Sequence, residues 1–252
     1  MDQERALDKA RKLLAQADGA ATEQEADAYS AMAAEWIARH GIDEALLAAS
    51  GAKPDTIERR RIEMTDPYSS GKAELLGWVA VPLRCRTVNH RRGGGGVRAC
   101  TVLGYTADLQ RVELLYTSLL LQASTRLVRV RPPAYSGESV SAYRRSWLHG
   151  YNRAVYARLS AAETKAEQDA TAAEQHATAA GQPGGAGSST ALVLLDRTAH
   201  VERAVEEAFP HLGKARTRTL AGSGVWAGYD AGQRADLGTP RLDRHSRREL
   251  GR

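Results

Sequence analysis

Apolar residues return at intervals of three and four over much of this chain, and the helices this spacing predicts take up most of its length. Leu7, Ala10, Leu13 and Leu14 mark one face of a helix over 3–17. Ala26, Tyr29, Ala33, Trp36 and Ile37 mark a second over 23–40. The connection "DGAAT" ends in Thr22, with Glu25 three residues on, the pattern of a capping box. So short a connection makes the two helices antiparallel neighbours, a helical hairpin. Gly41 reads as the left-handed residue that closes the second helix, and His40 as a partner for its last carbonyls. Asp43 caps a further short helix at 44–49, and "SGAKPD" at 50–55 is a linker.

Residues 56–64, "TIERRRIEM", fit a strand with charge on both faces and fit a linker equally well. Residues 70–82 read as a helix that ends near Pro82. Residues 84–90 and 97–104 are the arms of a β-hairpin with Gly93–Gly96 as a disordered tip. Thr106 caps a long helix over 107–130, in which Leu109, Val112, Tyr116, Leu119, Leu120, Ala123, Leu127 and Val130 form the clearest periodic stripe; Pro132 and Pro133 stop it. Another helix starts near Ser139, turns Trp147, Leu148, Tyr151, Val155 and Leu159 inward, and runs on through an Ala-rich stretch that is polar all round. "GQPGGAGSS" at 181–189 is a flexible linker. "ALVLLD" at 191–196 reads as a buried strand, followed by a helix to about Phe209. A last helical stretch lies around "VWAGYDAGQRADL", before a basic tail. The expected fold is α+β and mainly helical: a helical hairpin over 1–50, then a unit over 56–252 with a small antiparallel or mixed sheet packed by long helices.

In the β-hairpin, a register that sets Cys85 opposite Leu103 separates side chains by character. Cys85, Thr87, Asn89, Val97, Ala99, Thr101 and Leu103 then share one face. Arg84, Arg86, Val88, His90, Arg98, Cys100 and Val102 share the other. Register follows such segregation where one face is buried. The two cysteines fall on opposite faces, which argues against a disulfide between them.

Composition refines this picture. Apolar residues make up 42% of the chain, but many are alanine and Phe209 is the single phenylalanine, so a thin core of helix contacts through small residues is expected. No apolar run approaches the length of a membrane span, about 18 residues. The first residues are charged and lack an apolar stretch, and only Cys85 and Cys100 are present, which together point to a reducing, cytoplasmic setting. The net charge of +5 is uneven. Residues 1–63 carry 9 Lys/Arg against 13 Asp/Glu, whereas residues 64–158 carry 14 against 5, a net +9. Thirteen of those 14 cations are arginine, the residue suited to planar recognition of phosphate; GC-rich coding produces the same bias.

The N-terminal stretch "DKARKLLAQADGAATEQEADAYSAMAAEWIARHGID" resembles the bacterial and phage family known as domain of unknown function 2786. Leu13, Leu14, Ala15, Thr22, Glu25, Ala26, Arg39, His40, Gly41 and Ile42 carry the likeness, over about the first 45 residues. "VLGYTADLQRVELLYTSLL", "YRRSWLHGYNRAVYARL" and "GYDAGQRADL" resemble the region that commonly follows in that family. The resemblance implies a fold label and no activity.

Motifs that would name a reaction are absent from the sequence. None of the seven histidines forms an H-E-x-x-H or H-x-x-x-H pair, no C-x-x-C occurs, and no P-loop or nucleophile elbow is present. "GSGVWA" at 222–227 formally fits G-x-G-x-x-A but lacks a surrounding βαβ unit. Gly224, Gly228 and Gly232 read instead as a small-residue stripe for close helix approach. Asp108 and Glu113 are spaced five apart on one helix, which separates them, and Asp108 suits the helix dipole. No cofactor or metal is expected.

Two function classes remain. The first is a non-catalytic protein that holds DNA or RNA by its phosphates through Arg84, Arg86, His90, Arg98, Arg144, Arg145 and Arg153, with Tyr143, Trp147 and Tyr151 either stacking bases or, at their helical spacing, serving as core. The hairpin arginines then either enter a major groove or only guard a sheet edge. The second is an enzyme of unrecognised type, marked by a cleft gathering His149, Arg145 and a carboxylate, or an adaptor that meets a protein partner through the N-terminal hairpin. No membrane partner is expected.

Overall fold

The computed structural model describes residues 8–9, 12–13, 23–51, 55–93, 95–179, 189–213 and 220–235. They form a mainly helical α+β fold: α1 (Glu23–Ala49), β1 (Ile57–Glu63), α2 (Ser69–Ala80), β2 (Arg86–Arg91), β3 (Val97–Tyr105), α3 (Thr106–Leu127), α4 (Val140–Ala179), α5 (Thr190–Ala208) and α6 (Val225–Gln233). Residues 56–64 thus contain a strand, and the sheet is antiparallel in the order β1-β3-β2. Of the first expected helix, residues 8, 9, 12 and 13 are described and helical. Leu13 is buried, and the Lys9 ammonium lies 3.7 Å from the Trp36 ring centre, so the segment meets α1 as a hairpin partner would. The turn with Thr22, most of the 181–189 linker and the basic tail lie outside the described residues.

Helices cover both faces of the sheet. Ile62, Cys100 and Val102 join the main core with Leu75, Leu76, Leu109, Leu119, Trp147 and Tyr151, from α2, α3 and α4. Val88 and Leu103 alternate to the other side and pack on Val201 of α5, with Phe209 beside them. This double cover corrects the expected register. Arg86, not Cys85, opposes Leu103, and Thr87 opposes Val102. Segregation of basic from apolar residues fixes register only when one face meets water, and β3 is buried along nearly its whole length on both. Cys85 and Cys100 are both buried free thiols. The tip is hydrogen-bonded: Arg92 N–H donates to Gly96 O at 3.4 Å and Gly95 N–H to Arg92 O at 3.3 Å. Gly94 lies outside the described residues.

Two further corrections concern helices. Gly41 does not end α1, which runs on to Ala49 and absorbs the short helix expected at 44–49. His40 is therefore not a terminal cap; it is buried within the helix, its Nε2 3.6 Å from Glu44 Oε1. "ALVLLD" is not a strand but the first turns of α5. Val193, Leu194, Arg197 and Val201 are buried while Leu192 and Leu195 are exposed, a spacing of one helix face. A run of five apolar residues satisfies either period, and the continuation to Ala208 selects the helix.

The glycine stripe is used as expected. α6 lies against α4 so closely that a Cβ on Gly228 would overlap the Trp147 carbonyl, and one on Gly232 would fall against the Tyr151 carbonyl. Arg158 then donates to Gly232 O at 3.0 Å and also meets Ala235 O, fastening the end of α6.

Candidate nucleic-acid interface

Most arginines of the basic block are engaged inside the molecule. Arg84 follows α2 in a left-handed turn, with φ 60°, where Cys85 N–H donates to Ala80 O at 3.0 Å. That conformation costs a non-glycine residue roughly 1–2 kcal/mol. The side chain points inward, 8% exposed, and donates to Glu163 Oε2 at 3.1 Å and Glu167 Oε1 at 3.0 Å of α4. Arg84 is thus part of a buried ion network, not of a solvent-facing hairpin surface.

The network extends through three helices. Arg111 of α3, 2% exposed, donates to Asp108 Oδ1 at 3.0 Å and meets Glu163. Arg197 of α5 donates to Asp108 Oδ2 at 3.0 Å and to Asp55 Oδ2 at 2.8 Å, and its guanidinium stands 3.7 Å from the Tyr105 ring centre. Asp108, in the first turn of α3, is therefore more than a dipole partner. Such a network is costly to desolvate and specifies one arrangement of the elements it joins; removing one member strands the rest.

Other arginines fasten helix ends. Arg144 donates to Val128 O at 2.6 Å, at the C-cap of α3, and to Val130 O at 3.1 Å in the segment that follows, carbonyls that Arg131 also meets. Arg126 donates to Ala231 O at 2.9 Å, tying α3 to α6. Arg86 is partly buried and pairs with Glu202 of α5 at 2.6 Å. His90 shares a 2.8 Å hydrogen bond with Thr101 Oγ1 and lies beside Phe209. The aromatic residues expected to stack bases are mostly interior: Trp147 and Tyr151 are buried and stacked on each other, 5.5 Å between ring centres. Tyr143 is half-buried.

Of the seven expected contact residues, Arg98, Arg145 and Arg153 stand exposed. Arg91 and Arg92, adjacent on the hairpin, are exposed too and were not among the expected seven. Arg91, Arg92 and Arg98 flank the hairpin tip, and Arg145 and Arg153 lie on α4. Arg98 lies beside the last turn of the ladder, where its carbonyl accepts Met64 N–H at 2.8 Å. Arg92 donates to Asp66 Oδ2 at 3.0 Å. Asp66, Gly96 and Arg145 line one cleft of about 470 Å³, walled by Pro67, Tyr68, Ser69, Ser141 and Leu148. Hydrogen bonds from the Ser69 hydroxyl, and from its backbone N–H, hold the Asp66 carboxyl below its ordinary value, with Arg92 and Lys72 adding to the effect.

A cleft gathering His149, Arg145 and a carboxylate does not form. His149 Nδ1–H donates to Glu74 Oε1 at 2.8 Å, and Asn152 Nδ2 holds the same carboxylate at 3.1 Å. This triad links α2 to α4, and the residues lining the Arg145 cleft do not include it. Among the described residues, no group of three or more His, Cys, Asp or Glu side chains is placed to hold a metal ion. No helix among them is long and apolar enough to cross a membrane.

Within the N-terminal segment, Gly41 lies under the Arg111 guanidinium, where a Cβ would overlap it. The "RHGI" stretch is therefore the point where α1 meets the buried network. Residues 5–44 match the model of the family described as "Protein of unknown function (DUF2786)". The DUF2786 segment thus ends on the residues, through Glu44, that α1 buries against the rest of the molecule. No curated protein and no solved structure matches the chain. Sequence reasoning missed Arg91 and Arg92, although both stood beside the glycines, and it missed Asp55, Arg111, Glu163 and Arg197, whose long-range pairing leaves no local signal.

Proposed function

We propose that the protein is a non-catalytic nucleic-acid-binding protein that holds phosphates with the exposed arginines beside the tip of its β-hairpin and on α4, in the cytoplasm. One observation carries the reading: Arg145 lines a cleft whose wall also includes Gly96 of the hairpin tip, and Arg91 and Arg98 stand exposed on β2 and β3 on either side of that tip, while Arg84, Arg86, Arg92 and Arg144 are drawn into pairs and carbonyl contacts. Exposed arginines without a carboxylate partner beside a concave site are suited to neutralising a phosphate backbone. Arg153, two turns further along α4, extends the same basic run. The interface is the hairpin tip and the flank of α4. It differs from the face expected from Arg84, Arg86 and His90, of which Arg84 is buried and Arg86 and His90 are partly buried and hydrogen-bonded within the fold.

The test is binding of labelled DNA and RNA against salt concentration. With about three phosphates neutralised, by Arg91, Arg98 and Arg145, the slope of log K on log salt is expected near −2 to −3. The double variant R98E/R145E should lower affinity at least tenfold at low salt and leave the melting temperature in place. R84E should unfold the protein, because it sets three carboxylates together in a buried site. A flat salt response, or wild-type affinity in R98E/R145E, rejects the reading.

A further inference from the structure

We infer that the cleft between the hairpin tip and α4 receives a single unstacked nucleotide, with its phosphate on Arg145. The inference rests on the nucleic-acid reading above and narrows it to single-stranded nucleic acid. Size is the first ground. The cleft encloses about 470 Å³, within the span of small-molecule sites, and is concave. A duplex offers its phosphates on a convex surface and is met by projecting elements; a concave site instead closes round one unit splayed from its neighbours.

Lining chemistry is the second ground. Pro67, Tyr68 and Leu148 give an apolar and aromatic wall suited to a base. The exposed Ser141 hydroxyl suits sugar and base-edge polar atoms, while the buried Ser69 hydroxyl is taken up by Asp66 and Val97 N–H, and Arg145 is the cation of the lining. Asp66 would repel a phosphate, but its charge is met by Arg92 at 3.0 Å. The N-terminus of α2 does not carry the inference, because Asp66 already accepts from Ser69 N–H there. Arg91 and Arg98, outside the cleft, are placed for the phosphates of flanking nucleotides, so a strand crosses the hairpin tip and sends one unit inward.

The experiment compares a labelled oligothymidylate of about twelve nucleotides, the length one such site tracks, with a duplex of equal length. The full chain is used in both cases. Wild type is expected to bind the single strand about tenfold more tightly, the gain that one stacked and enclosed base supplies. S141W, which fills the cleft without changing charge, should bring single-strand affinity down to the duplex value. R145Q, which keeps the shape, should weaken the single strand more than the duplex and serves as the second probe should S141W fold poorly. Equal affinity of wild type for both probes, or a preference that survives both variants, overturns the cleft assignment and leaves phosphate binding at the hairpin tip standing. No binding of either probe overturns the nucleic-acid reading itself, and this inference with it.

Discussion

Gly41 shows how one residue can be misread from its neighbours. At the end of a periodic stripe, after a histidine, glycine reads as a helix terminator. In the fold it is a mid-helix residue whose missing side chain lets the Arg111 guanidinium lie on the backbone of α1. A guanidinium at the end of a flexible chain normally steps aside, but Arg111 is held by Asp108 and Glu163 and is 2% exposed. The variant G41A should therefore lose roughly 1–3 kcal/mol of stability, the cost of overpacking a tight site, despite the better helix propensity of alanine. A urea titration checks this, and a midpoint equal to or above wild type would show that Arg111 can retreat. Arg84 carries the same lesson. Its chemistry was legible as a cation next to a strand, but the partners that bury it lie 79 and 83 residues away on α4.

At the scale of elements, the long helices were legible because burial repeats along them. The stripe on α3 is the buried face that was expected, from Leu109 to Leu127. α6 was legible through its glycines, and its contact with α4 is close from both sides: Gly150 contributes from the α4 side, where a Cβ would overlap the Val225 carbonyl. Since backbone, not a mobile side chain, stands in the way, G228A should push α6 off α4. Hydrogen exchange of the α6 amides is expected to accelerate at least tenfold, with a stability loss of roughly 1–3 kcal/mol. Unchanged α6 protection would mean that the two helices can part without cost. The hairpin register and the α5 assignment were not legible, for a shared reason. Both depended on α5 covering the second sheet face, and neither the 181–189 linker nor a short apolar run states where the following element will dock.

For the whole molecule, the two thiols report on cooperative opening. Cys85 and Cys100 sit in the core beneath α2 and α3, and burial pushes both up, Cys100 to about 12. In the unfolded chain they titrate near 8.5. A raised thiol favours the folded state while both forms are protonated, so this contribution is complete below about pH 8 and drains away as pH climbs toward 12. At pH 8, alkylation by iodoacetamide should be on the order of a thousandfold slower in the folded protein than in urea, and mild alkaline pH should lower the melting temperature. Rapid labelling of either thiol at pH 8 would show that the core opens locally. By itself, the sequence determined the fold class, the identity of most helices, the strand pair around the glycines and the concentration of arginine in the middle of the chain, because these follow from local period and composition. Tertiary structure alone decided which arginines meet water. An arginine beside a strand looks the same whether a distant glutamate buries it, a helix end takes its fork, or solvent surrounds it. Only the packing of α4 and α5 against the sheet separates Arg84, Arg86 and Arg144 from Arg91, Arg92, Arg98 and Arg145.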